Sequence, residues 1–259
     1  MSNEVTPQQL DEDSHWWFAS RTRALIGLLD RELADTRLRV LDVGCGAGNM
    51  IHHLSRYGTV VGIDNNPVPL KVANRRGYDA RLADAERLPF DDGDFNLVTA
   101  LDVVEHCDDD LQILRECHRV CSDDGLLAVT VPAYQWLWSS NDIINEHRRR
   151  YSRADLESKL AQAGFQSVRM TYNNFFIFPA AAGLILARRG AAKEPNLATP
   201  TSDQEAYQVE MEPTSPPVNA VLAAVGRFEA ALIRHIDLPF GTSLICIARK
   251  AGRRGDSGG

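Results

Sequence analysis

The chain has 259 residues, 44% of them hydrophobic and 24% charged, with 28 Lys and Arg against 35 Asp and Glu for a formal net charge of −7. That is enough chain for one generous globular domain, and the acidic surplus excludes a protein that wraps a nucleic-acid backbone, which needs a net basic face to displace counterions. No apolar run reaches the roughly 18 to 20 residues of a membrane-spanning helix.

The first residues, Met1 to Leu10, are polar and lack the basic start and apolar run of a secretory signal, which points to a cytoplasmic protein. Residues 1–37 are expected to form an N-terminal helical cap. From Leu38 onward short apolar runs alternate with longer amphipathic stretches, the pattern of a parallel sheet flanked by helices. Strands are expected at Arg39 to Val43, Thr59 to Asp64, Asp79 to Ala83, Phe95 to Leu101, Gly125 to Val131, Phe165 to Tyr172 and Ser243 to Arg249. Helices are expected at about Asn49 to Tyr57, Pro67 to Arg76, Asp109 to Val120 and Arg153 to Ala163, the last capped by Ser152 and ended by Gly164. The fold class is therefore α/β: a Rossmann-like, doubly wound, seven-stranded sheet with helices on both faces and the last strand antiparallel.

Antiparallel neighbours are usually joined by a short hairpin, yet about seventy residues separate the last two strands. The core is thus 38–173 plus 242–250, and 174–241 is an insertion. It reads as two apolar helices, Phe175 to Ala187 and Val218 to Ile236, around a polar, proline-rich linker, 190–217, expected to be disordered like the tail 251–259.

The five cysteines carry no disulfide framework. Cys107, Cys117, His118 and Cys121 lack paired C-x-x-C spacing and lie on an amphipathic stretch, so they read as small buried side chains, and no metal is expected.

The most informative stretch is Val40-Leu-Asp-Val-Gly-Cys-Gly-Ala-Gly-Asn49. It ends a buried strand with Asp42 and sets Gly44, Gly46 and Gly48 on alternate positions before a helix, so the backbone can take positive φ and a ligand can approach it closely. Asp64 ends the next strand, where a carboxylate can accept from both hydroxyls of a ribose. A nucleoside across the carboxyl ends of the central strands follows. The dinucleotide fingerprint G-x-G-x-x-G fails at Asn49, which disfavours an NAD(P)-dependent oxidoreductase.

The pattern Asp42-x-Gly44-x-Gly46-x-Gly48 resembles motif I of class I S-adenosylmethionine-dependent methyltransferases. Asp84-Ala85 with Leu88-Pro89-Phe90 resembles the family's adenine-binding segment, and Asp102-Val-Val-Glu-His106 after its strand resembles ubiquinone-type methyltransferases and their small-molecule relatives. Arg119-Val120 with Asp124-Gly125 resembles the family's turn into the fifth strand. His15-Trp-Trp-Phe18 with Arg21 resembles a box found in a bacterial subgroup. The resemblance implies S-adenosylmethionine as cofactor, held by Asp42, Gly44, Cys45, Gly46, Gly48, Asp64, Asn65, Asp84, Ala85, Leu101 and Asp102.

Methyl transfer from a sulfonium needs the acceptor held in line and water kept away, with a base only where the acceptor must lose a proton. His106 after the fourth strand and His147 in the loop after the fifth are the candidate bases. That loop, with Trp138, Asp142, Arg150 and Tyr151, combines the stacking surfaces and charges an acceptor site needs, and Trp16, Trp17 and Arg21 are expected to add to it. The expected function is methyl transfer to a small or lipid-linked acceptor, at oxygen. The alternatives are a methyltransferase-like module acting through a protein partner, and the disfavoured oxidoreductase. Apolar residues followed by Arg188-Arg189 suit a peripheral contact with the inner face of a membrane, or a subunit contact.

Overall fold

The structure is a computed structural model that describes residues 11–33, 37–190 and 214–251. Its elements in chain order are α1 (Trp16–Glu32), β1 (Leu38–Val43), α2 (Asn49–Leu54), β2 (Gly58–Asp64), α3 (Pro67–Arg75), β3 (Asp79–Leu82), β4 (Phe95–Leu101), α4 (Asp110–Val120), β5 (Cys121–Pro132), α5 (Ser140–Ile144), α6 (Arg153–Ala163), β6 (Phe165–Asn173), α7 (Phe178–Gly190), α8 (Pro216–Ile233) and β7 (Ser243–Lys250). The seven strands are ordered β3-β2-β1-β4-β5-β7-β6, with β7 antiparallel to both β5 and β6. This is the Rossmann-like, doubly wound arrangement with a helical insertion before the last strand.

The alternation of side chains along each strand divides the core into two layers. On one face Leu41, Val43, Val98, Leu127 and Val129 pack with Ile113 and Leu114 of α4 and Leu156 and Leu160 of α6. On the other, Val40, Leu97, Leu126, Ala128 and Ile245 pack with Leu25 and Leu28 of α1, Ile51 of α2, Leu70 of α3 and Ile233 of α8. Local signals end the helices where chemistry requires it. Asn66 caps α3 ahead of Pro67, Ser152 and Asp155 form a reciprocal capping box on α6, and Gly164 closes α6 at φ +96°.

Several boundaries differ from expectation for identifiable reasons. β5 starts at Cys121, not Gly125, because Cys121 pairs with Phe95 across an irregularity in the ladder, and Asp124 absorbs the bend at φ +64°. The residues read as a turn are therefore strand. α2 ends at Leu54, and Tyr57 instead donates its hydroxyl to Asp30 of α1 at 2.7 Å. α7 starts at Phe178, not Phe175, because the buried Glu229 carboxylate of α8 accepts the backbone N–H groups of Asn174 and Phe176 and holds that stretch as a turn.

The insertion does not stand apart. α8 lies on α1 so closely that a Cβ on Gly226 would sit 1.8 Å from Ser20 Oγ. Asn219 ties the two helices together, accepting the Trp16 N–H at 2.9 Å and donating to Ser14 O at 2.9 Å. α8 begins at Pro216, inside the stretch read as linker. The rest of that linker, 191–213, lies outside the described residues, as do residues 1–10 and 252–259. Among the described residues no helix is long and apolar enough to cross a membrane.

Candidate active site

The glycine loop leaves β1 at its carboxyl end, in the crevice where the neighbouring connections from β1 and β4 diverge. Gly44 and Gly46 take φ of +71° and +53°, values that L side chains adopt only at a cost. Their surroundings differ. A Cβ on Gly44 would meet Val103 Cγ2 at 2.3 Å, whereas nothing lies within 4 Å of one on Gly46. Gly44 thus lets the segment after β4 close against the loop, and Gly46 faces open space. Asp64, at the end of β2, accepts the Gly46 N–H at 2.9 Å and the Asn66 N–H at 2.8 Å, which fixes its carboxylate beside that space.

Beneath the loop Asp42 is buried. Its Oδ1 accepts the Thr99 hydroxyl at 2.6 Å, and its Oδ2 has no partner. Burial lifts its pKa to about 7 against the opposing Thr99 hydrogen bond. An unpartnered carboxylate oxygen, a positioned Asp64 and an open glycine loop make an acidic cradle. S-adenosylmethionine, which carries ammonium and sulfonium charges, fits that chemistry.

On the far side of the crevice Asp102 adopts φ +55° directly after β4. It accepts the Thr130 hydroxyl at 2.9 Å and pairs with Arg21 of α1. The Arg21 guanidinium lies 4.9 Å from the Trp17 ring centroid and 5.6 Å from that of Phe18. The aromatic box of α1 therefore latches the helix onto the carboxyl ends of the strands through one ion pair.

Next to this latch, Glu105, His106 and His147 each bring one side-chain donor atom to within 4.8 Å of the others. The His106 and His147 rings meet edge to face, their centroids 4.8 Å apart. Burial, and then the neighbouring His147, lower the pKa of His106. Glu105 is fully buried with neither oxygen hydrogen-bonded. Burial first, and then the charge of Asp102, hold its pKa well above the ordinary carboxylate range. His147 Nδ1 lies 3.0 Å from Asp142 Oδ1.

Three of the residues expected at the acceptor site lie in the loop after β5 and have partners within the protein. Asp142 is fully buried and Tyr151 is 1% exposed, and the Tyr151 hydroxyl donates to Asp110 at 2.9 Å. Arg150 donates through Nε and Nη2 to Asp142 at 2.7 and 2.9 Å. These three side chains are engaged inside the protein. The other two arginines stitch the loop to the segment after β4. Arg148 Nε donates to His106 O, and Arg149 Nη2 donates to Cys107 O and Asp108 O. Trp138 is half-buried, as are Trp16 and Trp17. Of the aromatics around this loop, Trp136 is the open one at 45% exposed, stacked on Tyr134 and edge to face with Phe178.

Among the expected cofactor residues, Cys45 and Leu101 are buried, whereas Asn65 and Asp84 are exposed and Ala85 is half-buried. A Cβ on Gly48, at φ +85°, would meet the Tyr78 ring. The sequence reading passed over Glu105, Thr99, Thr130 and Ser139. Glu105 lies inside the quoted Asp102 to His106 motif, on a single 3-10 turn, Val104–His106, but its burial has no signature in the sequence. The cysteines read as packing groups are not brought together as a ligand set among the described residues.

Residues 41–129 match a family model described as a methyltransferase domain. The chain is 38% identical over 116 residues to a ubiquinone biosynthesis O-methyltransferase of Ruegeria pomeroyi, covering 40% of this chain and 47% of that protein. It is 29% identical over 177 residues to a Mycobacterium tuberculosis protein described as a probable S-adenosylmethionine-dependent methyltransferase, covering 66% of this chain and 62% of that one. The chain thus spans about half the length of the curated relatives it matches. The solved structure of an S-adenosylmethionine-dependent methyltransferase from Mesorhizobium loti superposes with a TM-score of 0.55 at 16% identity, over 87% of this chain and 97% of that one, a likeness of fold. The architecture is that of the Rossmann-like class I methyltransferases, and the matched residues 41–129 run from β1 through β4 and include the glycine loop between β1 and α2.

Proposed function

We propose that the chain is an S-adenosylmethionine-dependent methyltransferase that methylates a small or lipid-linked acceptor at a hydroxyl oxygen. The observation that carries this reading is the contact of two half-sites. Through Val103 the acidic glycine loop abuts the segment bearing Glu105 and His106, so a cofactor cradle and an imidazole pair share one crevice. When bound, S-adenosylmethionine supplies a methyl already activated by positive sulfur. The chain's own task is to orient the acceptor, exclude water and take up the acceptor's proton. His106 and His147 are the groups available for that proton. The choice of oxygen draws on the ubiquinone biosynthesis O-methyltransferases among the relatives.

Exposed Leu184 and Leu186 on α7 and Val218, Val221 and Phe228 on α8 support contact with a membrane surface that presents a lipid-linked acceptor. At about 1.5 Å per residue α7 is roughly 20 Å long, so it would lie on a bilayer and not span it. Titration calorimetry with S-adenosylmethionine and S-adenosylhomocysteine tests the core of the proposal. Wild type should bind both, and Asp64→Ala should bind at least about tenfold more weakly through loss of two positioned hydrogen bonds. Absence of binding to wild type at millimolar ligand would remove the proposal.

A further inference from the structure

The loop after β5 spends an unusual amount of hydrogen bonding on one carboxylate. Asp142 Oδ2 accepts the Ser139 N–H at 2.7 Å, the Ser139 hydroxyl at 3.2 Å and Arg150 Nη2 at 2.9 Å. Its Oδ1 accepts Arg150 Nε at 2.7 Å and faces His147 Nδ1 at 3.0 Å. A carboxylate encircled by donors can only accept, so His147 must carry its proton on Nδ1. Nε2 is then left bare. The backbone fixes the ring as well, because the His147 N–H donates to Asp142 O at 2.8 Å and the next residue's N–H donates to Glu105 O at 2.8 Å.

The two imidazoles are not equivalent. Burial and then His147 disfavour the charged form of His106. His147 has an ionised carboxylate directly behind it. An acid–base pair oriented by a buried third group is the arrangement by which nucleophile and base sites are recognised irrespective of fold.

We propose, on the basis of the methyltransferase reading, that His147 is the general base for a hydroxyl acceptor and Asp142 is its positioning residue. In the balanced step the acceptor O–H bond breaks as its oxygen bonds the methyl carbon. The methyl–sulfur bond breaks with its electron pair left on sulfur, and the proton resides on His147 Nε2, its charge faced by Asp142. Asp142, itself bonded by Arg150, faces His147 from its own loop, and Glu105 and His106 face it from the segment after β4.

The test uses the full chain labelled with 15N-histidine. Long-range nitrogen–proton spectra with S-adenosylhomocysteine present should give His147 as the Nδ1–H tautomer, and Asp142→Asn should lose that single tautomer. Turnover is then read on a series of catechols and phenols. His147→Ala should lower kcat by about 10²- to 10⁴-fold while calorimetric affinity for S-adenosylhomocysteine stays within about threefold, a small fraction of the expected catalytic loss. Asp142→Asn should lower kcat together with the loss of the single Nδ1–H tautomer, whereas a purely structural role would leave the tautomer in place. An Nε2–H tautomer in wild type, retained turnover in His147→Ala, or failure of wild type to methylate any hydroxyl in the series would overturn the proposal. So would turnover abolished by EDTA and restored by a divalent cation. Loss of cofactor binding by wild type would instead strike the methyltransferase reading itself.

Discussion

Asp42→Asn should stabilise the cofactor-free protein at alkaline pH and weaken its hold on the cofactor. The side chain is 2% exposed, one oxygen is satisfied by Thr99 and the other has no partner. The amide is isosteric, keeps the Thr99 acceptor and cannot ionise. Because burial raises the folded pKa from 3.8 to about 7, the contribution of Asp42 is fully present below pH 4 and is lost as pH rises to 7. At 1.36 kcal/mol per pH unit, the difference between 3.8 and about 7 amounts to about 4 kcal/mol at pH 8. Urea unfolding of wild type and Asp42→Asn at half-unit steps from pH 4 to 8.5 isolates this contribution, since every other titrating group is common to both. The stability difference should grow from near zero at pH 4 to about 4 kcal/mol in favour of the variant at pH 8. Calorimetry should show weaker S-adenosylmethionine binding by the variant. Parallel stability curves over the whole range would mean that Asp42 titrates normally and that the reasoning from its burial is wrong.

Three further outcomes follow from the site and the insertion. Gly44→Ala and Gly46→Ala both force alanine into positive φ, at about 1–2 kcal/mol, but only Gly44→Ala also drives a methyl into Val103. Thermal unfolding should therefore rank Gly44→Ala as the less stable, while Gly46→Ala, whose methyl enters the open space, should fold and lose S-adenosylhomocysteine affinity by calorimetry. Burial raises Asp142, but hydrogen bonds from His147 and Arg150 outweigh it and hold its pKa below the ordinary carboxylate range. Its contribution is thus present above pH 4 and lost as pH falls below it, so acid titration of Asp142→Ala should give a flatter stability curve below pH 4 than wild type. For the membrane contact, wild type should float with anionic liposomes and Leu184→Glu/Leu186→Glu should not; wild type that stays wholly at the bottom of the gradient refutes the contact.

The alternation of apolar runs and amphipathic stretches determined the sheet and most of its helices, because a strand buried on both faces and a helix packed on one leave different periodicities in the chain. The glycine spacing after Asp42, with Asp64 at the end of the next strand, determined the open positive-φ loop at which we propose the cofactor binds, since positive φ and close backbone approach are local demands that only glycine meets freely. His106 and His147 were legible as candidates because imidazoles beside strand ends are few. Their partners were not. That Asp142 and Arg150 face each other inside the protein, and that Glu105 is buried without a hydrogen bond, depends on how two loops dock.

The insertion divides in the same way. Its apolar composition was visible, but the packing of α8 on α1 joins residues about two hundred positions apart, and no local pattern encodes such a pairing. The sequence by itself determined elements, caps and the glycine loop, all governed by neighbours within a turn or a strand. Only the tertiary structure decided which polar side chains are spent on holding loops and which remain free for chemistry, because burial and hydrogen-bond satisfaction are properties of surroundings assembled from distant parts of the chain.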